Sequence, residues 1–592
     1  MKAKSSVVLV VFALAAMAAA SNNKLAPELQ QLKGSERRDV IVQFKTPLTA
    51  KHHQSVVRRG GELRQELKVI RGAVYSVPSA MLTRLAEDPA VAYISPDRPL
   101  KGAGISAAST PTATTSAAIT AAATLDYHTD TINAPYAWEL GLDGTGVGVA
   151  VLDSGITDLE DLRGNGYRVV YNQDFVGDGD QSATDLYGHG SHVAGIIGGD
   201  GKKSSGPHAF YTFEGIAPNV NLINLRVLDQ NGEGTDSGVI SAIEAAISLK
   251  AKYNILVVNL SLGRPIYESY LLDPLCQAVE AAYQAGIVVV VSAGNNGRDN
   301  SWNNDGYGTI TAPGNDPYVI TVGAMKTMGT PSRTDDLIAT YSSKGPTAID
   351  HIAKPDLVAP GNLIISLYSP GSQLDQMYPN NEIPTSLYKT NGNNARSNTY
   401  YLLSGTSMAA PMVSGTAALM LQQNPALSPD QVKAALMKSA SKTFPLYSSY
   451  TDPATGITYT DQYDVFTVGA GYLDIEAALA NQGVFSGVAT SPMVAYDPVT
   501  QGVYFVNNSF AVWGGSADWS SFAVWGGNAF VGSDFAVWGG SSAWASFAVW
   551  GGSAPWGDST DNGFFAVWGG STVGSDSTSN TESLGLLING DN

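Results

Sequence analysis

Residues 255–262 read ILVVNLSL, residues 273–286 DPLCQAVEAAYQAG and residues 287–295 IVVVVSAGN. The first and third runs are apolar at successive positions and rich in valine and isoleucine, as in strands covered on both faces. The middle run has helical periodicity. Strand, helix and strand, with no polar face on either strand, imply a parallel sheet packed between helices. The alternation continues outward. GVGVAVLD (146–153) reads as a strand and GSHVAGIIGG (190–199) as a helix start; NLINLRVLD (221–229) reads as a strand and TDSGVISAIEAAISLKAK (235–252) as a helix. This predicts an α/β body over residues 126–482.

The chain has 592 residues, 44% hydrophobic and 15% charged, with a net charge of −18. There is ample apolar material for a large core and too little charge for a disordered polyelectrolyte. The acidic balance excludes nucleic acid and anionic membranes as expected partners, because both attract basic proteins. Cys276 is the single cysteine, so no intramolecular disulfide is expected. It falls in a helical pattern and reads as a small buried hydrophobe.

Four further segments are expected around the body. Residues 1–20 carry Lys2 and Lys4, then an uncharged, mostly apolar run ending in Ala18–Ala20. This is the pattern of a secretory signal peptide, and it places the protein outside the cell or at its surface. No later stretch is long and apolar enough to span a bilayer. Residues 36–100 mix strand patterns (RRDVIVQFK, GAVYSVP) with helical ones, as in a small α+β unit. Residues 101–125 are Ala/Thr/Ser-rich and read as a linker. Residues 483–592 contain FAVWGG five times, with tryptophans at 513, 525, 538, 550 and 568. Such self-similarity fits stacked short strands with Gly-Gly turns, or equally a disordered extension.

Ligands of an open parallel sheet bind beyond the carboxyl ends of its strands. Asp153, Asn259, Ser261 and Asn295 fall at such ends. Two stretches open helices with small residues, GHGSHVAG with His189 and SGTSMAAP (404–411) with Ser407. A serine at a helix N-terminus sits beside free N–H groups and a partial positive charge. Acyl transfer by serine needs a base, a carboxylate to orient it and donors for the oxyanion. Asp153, His189 and Ser407 could fill the first roles and Asn295, with the Ser407 backbone N–H, the last. The order Ser…Asp…His of the α/β-hydrolases fails, because the last histidine, His351, precedes Ser407.

Four blocks in this order, VAVLDSGI (149–156), GHGSHVAGI (188–196), SAGNNG (292–297) and GTSMAAP (405–411), resemble the subtilisin-like serine proteases, the subtilases. The resemblance covers residues 126–482. It implies a doubly wound, mostly parallel α/β fold, an endopeptidase acting on polypeptides, and the triad Asp153, His189 and Ser407. It also implies Asn295 as oxyanion donor and a substrate groove walled by Ser261, Leu262, Gly263 and by Ser292, Ala293, Gly294. Exposed backbone edges there would pair with an extended peptide. Arg264 stands where the family usually has a glycine and is expected at the solvated rim. Residues 36–100 resemble the family's inhibitory propeptide, which makes that segment an expected intramolecular inhibitor, cleaved off within 101–126.

The chemistry requires no cofactor. No metal site is assigned: His192 near His189 lacks a third ligand, and the calcium loop of some subtilases is not carried over to residues 198–215, which are glycine-rich with two lysines, so a structural calcium is left as an alternative that the sequence does not support. Asp236-Ser237-Gly238 is expected in a capped helix, not an aspartic-protease loop. Ser404 and Ser414 are assigned to packing. The competing function is a surface adhesion or scaffold protein with an inert protease fold, its tail binding a glycan or cell wall.

Overall fold

The computed structural model describes residues 24–102, 127–497, 502–505, 587–588 and 591, apart from short gaps at 31, 33, 165, 180–181, 302–303, 396–398, 454 and 482–484. The expected signal segment, nearly all of the linker and all five FAVWGG repeats lie outside the described residues. Two compact units are present, one of residues up to Arg98 with Tyr267–Ala278, the other of Pro99–Ile266 with the chain from Val279 onward.

The first unit is α+β. Strands β1 (Arg37–Phe44), β2 (Glu62–Leu67), β3 (Gly72–Pro78) and β4 (Val91–Pro96) form an antiparallel sheet in the order β2-β3-β1-β4. Helices α1 (Ala50–Val57) and α2 (Leu82–Ala86) join these strands, and Val40, Val42 and Phe44 share a core with Val56, Leu82 and Leu85. β1 is a central strand, and its last five residues are all buried instead of alternating. β2, ELRQEL, is an edge strand whose first five residues are exposed, and its two leucines, four positions apart among charged residues, give no alternating apolar face for a periodicity reading. Within this unit Arg98 makes two buried bonds to Glu268, at 2.7 and 2.5 Å.

The second unit is built on a mostly parallel sheet. Its strands are β6 (Gly148–Asp153), β7 (Val169–Asp174), β8 (Asn221–Arg226), β10 (Ile255–Leu260), β12 (Val288–Ser292), β13 (Ile320–Lys326), β14 (Leu337–Ile338) and β15 (Leu357–Pro360). The order is β14-β13-β12-β10-β6-β8-β7, with β15 also on β13; only β14 is antiparallel. β6 leads to β7 and β8 on one side and has β10 on the other, a reversal of strand order that opens a crevice at the carboxyl ends. A separate three-stranded antiparallel sheet has β5 (Pro99–Gly102) between β11 (Leu262–Gly263) and β9 (Glu233–Thr235).

The helices flanking the sheet include α3 (His189–Gly198), α4 (Asp236–Tyr253) and α6 (Thr406–Gln423), and a further helix, α5, spans Pro274–Gln284. α4 is capped as expected, the Thr235 side chain accepting from the Gly238 N–H at 3.2 Å. Cys276 is buried in α5. α6 is buried from Thr406 to Leu421 and packs on β10, β12, β13 and α3. A helix with no polar face needs such a central place, and its alanines and glycine let it approach closely: a Cβ on Gly415 would meet Ile216 at 2.6 Å.

Candidate active site

Asp153 closes β6, and His189 is the first residue of α3. The Nδ1 of His189 lies 2.7 Å from Oδ1 of Asp153, which also accepts from the Ser154 N–H at 2.7 Å. Both side chains are buried. Burial disfavours the imidazolium, but the charge and hydrogen bond of Asp153 outweigh it, and the pKa of His189 is raised. With Nδ1 held by the carboxylate, Nε2 is the atom left for chemistry. It is buried without a hydrogen-bond partner among the described residues.

The turn into α3 is held by Asp185, which the sequence analysis did not single out. Its carboxylate accepts from the N–H groups of Gly188 and Ser191, at 2.6 and 2.7 Å, and from Ser154 Oγ at 2.8 Å. Asp185 lies four residues ahead of the helix start, outside the N-cap position that Gly188 fills, so the usual capping pattern did not flag it. Gly190 lets α3 press on the strand end, since a Cβ there would lie 2.2 Å from the Gly155 carbonyl.

Ser407 is the second residue of α6 and is fully buried. Its hydroxyl donates to the Ser261 carbonyl at 3.3 Å, and the Ser261 hydroxyl donates to the Ser407 carbonyl at 2.9 Å. Pro411, inside α6, has no N–H for the carbonyl four residues earlier, which is that of Ser407. Ser261 supplies the missing donor. Asn295 follows β12; its Oδ1 accepts from the Thr406 N–H and hydroxyl, each at 2.9 Å. This leaves its amide nitrogen facing Gly405, where a Cβ would lie 3.1 Å away. Gly405 has φ +153, a backbone suited to glycine.

The expected groove walls differ from each other. Leu262 and Gly263 pair in antiparallel register with Gly102 and Lys101, so this edge holds an extended segment. At the second wall, Ser292 ends β12, and the Ala293 N–H and carbonyl are both occupied, by Val322 and Thr311. The Gly294 N–H donates to Thr406 Oγ1 at 3.2 Å. Ala293 thus presents no open backbone edge, because its strand continues into the sheet. The reading of Arg264 as a rim residue is also corrected. Arg264 is buried, and its Nε bonds the buried Asp236 at 2.7 Å. The charge is used internally, and its backbone pairs with Ala312.

The remaining polar residues are structural. His192 is buried, its Nε2 near the carbonyls of Tyr401 (3.0 Å) and Ile364 (3.1 Å); burial first, then the nearby His189, lowers its pKa to about 3. Ser414 bonds Asn259 at 2.8 Å, and Ser404 Oγ accepts from the Leu363 N–H at 2.9 Å. Among the described residues no group of three or more His, Cys, Asp or Glu is placed to hold a metal ion.

A parallel sheet with an aspartate–histidine pair at its carboxyl edge and a serine opening a central helix is the arrangement of a serine hydrolase of subtilisin type. The subtilase family model, Peptidase_S8, matches residues 144–471, and the chain belongs to that family. It is 40% identical over 310 residues to the serine protease AprX of Bacillus subtilis, a match spanning 51% of this chain and 62% of AprX. It is 34% identical over 361 residues to subtilisin DY of Bacillus licheniformis, spanning 60% of this chain and 99% of that protein. The crystal structure of fervidolysin from Fervidobacterium pennivorans superposes with TM-score 0.52 at 22% identity, covering 80% of this chain and 64% of that one; this likeness shows the fold. The relatives are named as serine proteases and subtilisins, which are hydrolases.

Proposed function

We propose that the protein is a secreted serine endopeptidase, made as a zymogen, that cleaves polypeptides through an acyl-enzyme. The observation that carries this reading is the buried His189, bonded to Asp153 on one nitrogen, together with Ser407 at the mouth of α6. In the proposed reaction the Ser407 hydroxyl turns from the Ser261 carbonyl toward His189 Nε2 and gives up its proton as Oγ attacks the scissile carbonyl. Asp153 stabilises the imidazolium. The oxyanion is held by the Asn295 amide and the Ser407 N–H. His189 then protonates the leaving amine, and water, deprotonated by the same imidazole, hydrolyses the acyl-enzyme. No cofactor takes part.

Residues 99–102 support the zymogen reading. They lie as an added strand on Leu262–Gly263, where an extended peptide would bind. In this reading residues 36–100 are the inhibitory propeptide, with its end in the substrate groove. Secretion rests on the pattern of residues 1–20. Among the described residues no helix is long and apolar enough to cross a membrane, and one relative is named an extracellular serine proteinase, from a Thermus species.

A fluorophosphonate probe tests the central reading. The purified mature protein is expected to be labelled, and Ser407→Ala to abolish labelling. A folded wild-type protein that takes up no probe would point instead to the inert scaffold.

A further inference from the structure

Residues Leu587, Ile588 and Asp591 are packed into the second unit. Leu587 and Ile588 are buried in its main core. The Leu587 carbonyl accepts from the Ser404 N–H at 2.7 Å, and the Ile588 carbonyl from Asn381 Nδ2 at 2.9 Å. The Asp591 carboxylate is inaccessible to solvent and bonds Arg298 Nη2 at 2.7 Å, the Thr340 N–H at 2.6 Å and the Thr340 hydroxyl at 3.1 Å. Lys326 Nζ lies 3.5 Å away. The Asp591 backbone exchanges bonds with Asn362, at 2.8 and 3.3 Å. Two cations, a backbone N–H and a hydroxyl around one carboxylate constitute a built anion site.

Its position relates it to catalysis. Ser404 lies just ahead of Ser407 in the segment that enters α6, and Arg298 follows Asn295 in the loop after β12. The acyl side of the groove is marked by β5, which runs along Leu262–Gly263 toward Ser261, whose carbonyl meets the Ser407 hydroxyl. Leu587 and Asp591 thus bond segments beside the nucleophile and the oxyanion asparagine, Leu587 at Ser404 and Asp591 at Arg298. We infer that Arg298, Lys326, Thr340 and Asn362 form a carboxylate-binding subsite on the leaving-group side, filled in cis by Asp591. Asp591 thereby competes with acidic peptide extending past the scissile bond. The inference rests on the protease reading.

The test compares two substrates on the full mature chain, a peptide p-nitroanilide that ends at the scissile bond and a quenched fluorescent peptide with acidic residues beyond it. Loss of charge-assisted hydrogen bonds in Asp591→Asn is expected to raise kcat/KM for the spanning peptide roughly tenfold while leaving the anilide unchanged. A synthetic LLINGDN peptide, added to that variant, restores inhibition of the spanning peptide only. An unchanged ratio between the substrates, or equal changes in both, overturns the inference; equal losses would mean that the segment only stabilises the fold. Should the wild-type chain cleave neither substrate, the protease reading falls and takes this inference with it.

Discussion

Ser261 and Ser407 each donate a hydroxyl hydrogen bond to the other's carbonyl, at 2.9 Å from Ser261 and 3.3 Å from Ser407. The pair ties the end of the strand edge at β11 to the first turn of α6. It exists because Pro411 withholds the amide that would otherwise satisfy the Ser407 carbonyl.

Removing that donor has a calculable cost. Ser261→Ala leaves a buried carbonyl unpaired and is expected to destabilise the protein by about 1–3 kcal/mol. In a Pro411→Ala background the helix regains an N–H for the same carbonyl, so the cost of Ser261→Ala is expected to shrink. Denaturant unfolding of the four variants in a double-mutant cycle measures this coupling. Purely additive costs would refute the compensation.

Asp153 sets both the orientation and the basicity of His189. In the proposed mechanism Asp153→Asn is expected to lower kcat by roughly 10⁴-fold, the loss known for the aspartate of a serine triad. The pH profile supplies an independent sign. His189 acts as a base only when neutral, and Asp153 raises its pKa. Loss of the charge therefore moves the acidic limb of kcat/KM to lower pH. A limb that stays in place in the variant's pH–rate profile would show that another group controls it.

Arg264 and Asp236 form an ion pair with almost no solvent exposure. Arg264→Leu strands a buried carboxylate and is expected to cost about 3–5 kcal/mol, whereas adding Asp236→Asn recovers most of the loss. Thermal unfolding of the single and double variants distinguishes this from a rim residue, whose removal would leave the melting temperature nearly unchanged.

Much of the body was legible because its signals are local. Asp153, His189, Asn295 and Ser407 each stand in a short block where an apolar strand or a small-residue helix start fixes the backbone around them. The strands from 146 to 292 declare themselves by apolar runs, since a parallel sheet buries both faces. β2 was not legible, because an edge strand exposed over its first five residues needs no alternating apolar face. Arg264 was misread, because a lone arginine after a strand is ordinarily solvated, and nothing near it in sequence announces Asp236.

By itself, then, the amino-acid order determined the sheet's parallel character, the succession of acid, imidazole and hydroxyl, and the strand end or helix start on which each stands. Local periodicity and backbone propensity carry that information. Only the tertiary structure decided that Ser261 serves the Ser407 carbonyl, that Asp185 anchors the turn before His189, that Arg264 is neutralised internally, and that Asp591 reaches Arg298. These partners lie far apart along the chain or act through backbone atoms whose need for a donor or acceptor depends on what the fold has buried. A buried polar group must find a partner wherever packing places one, and no periodicity in the sequence encodes that choice.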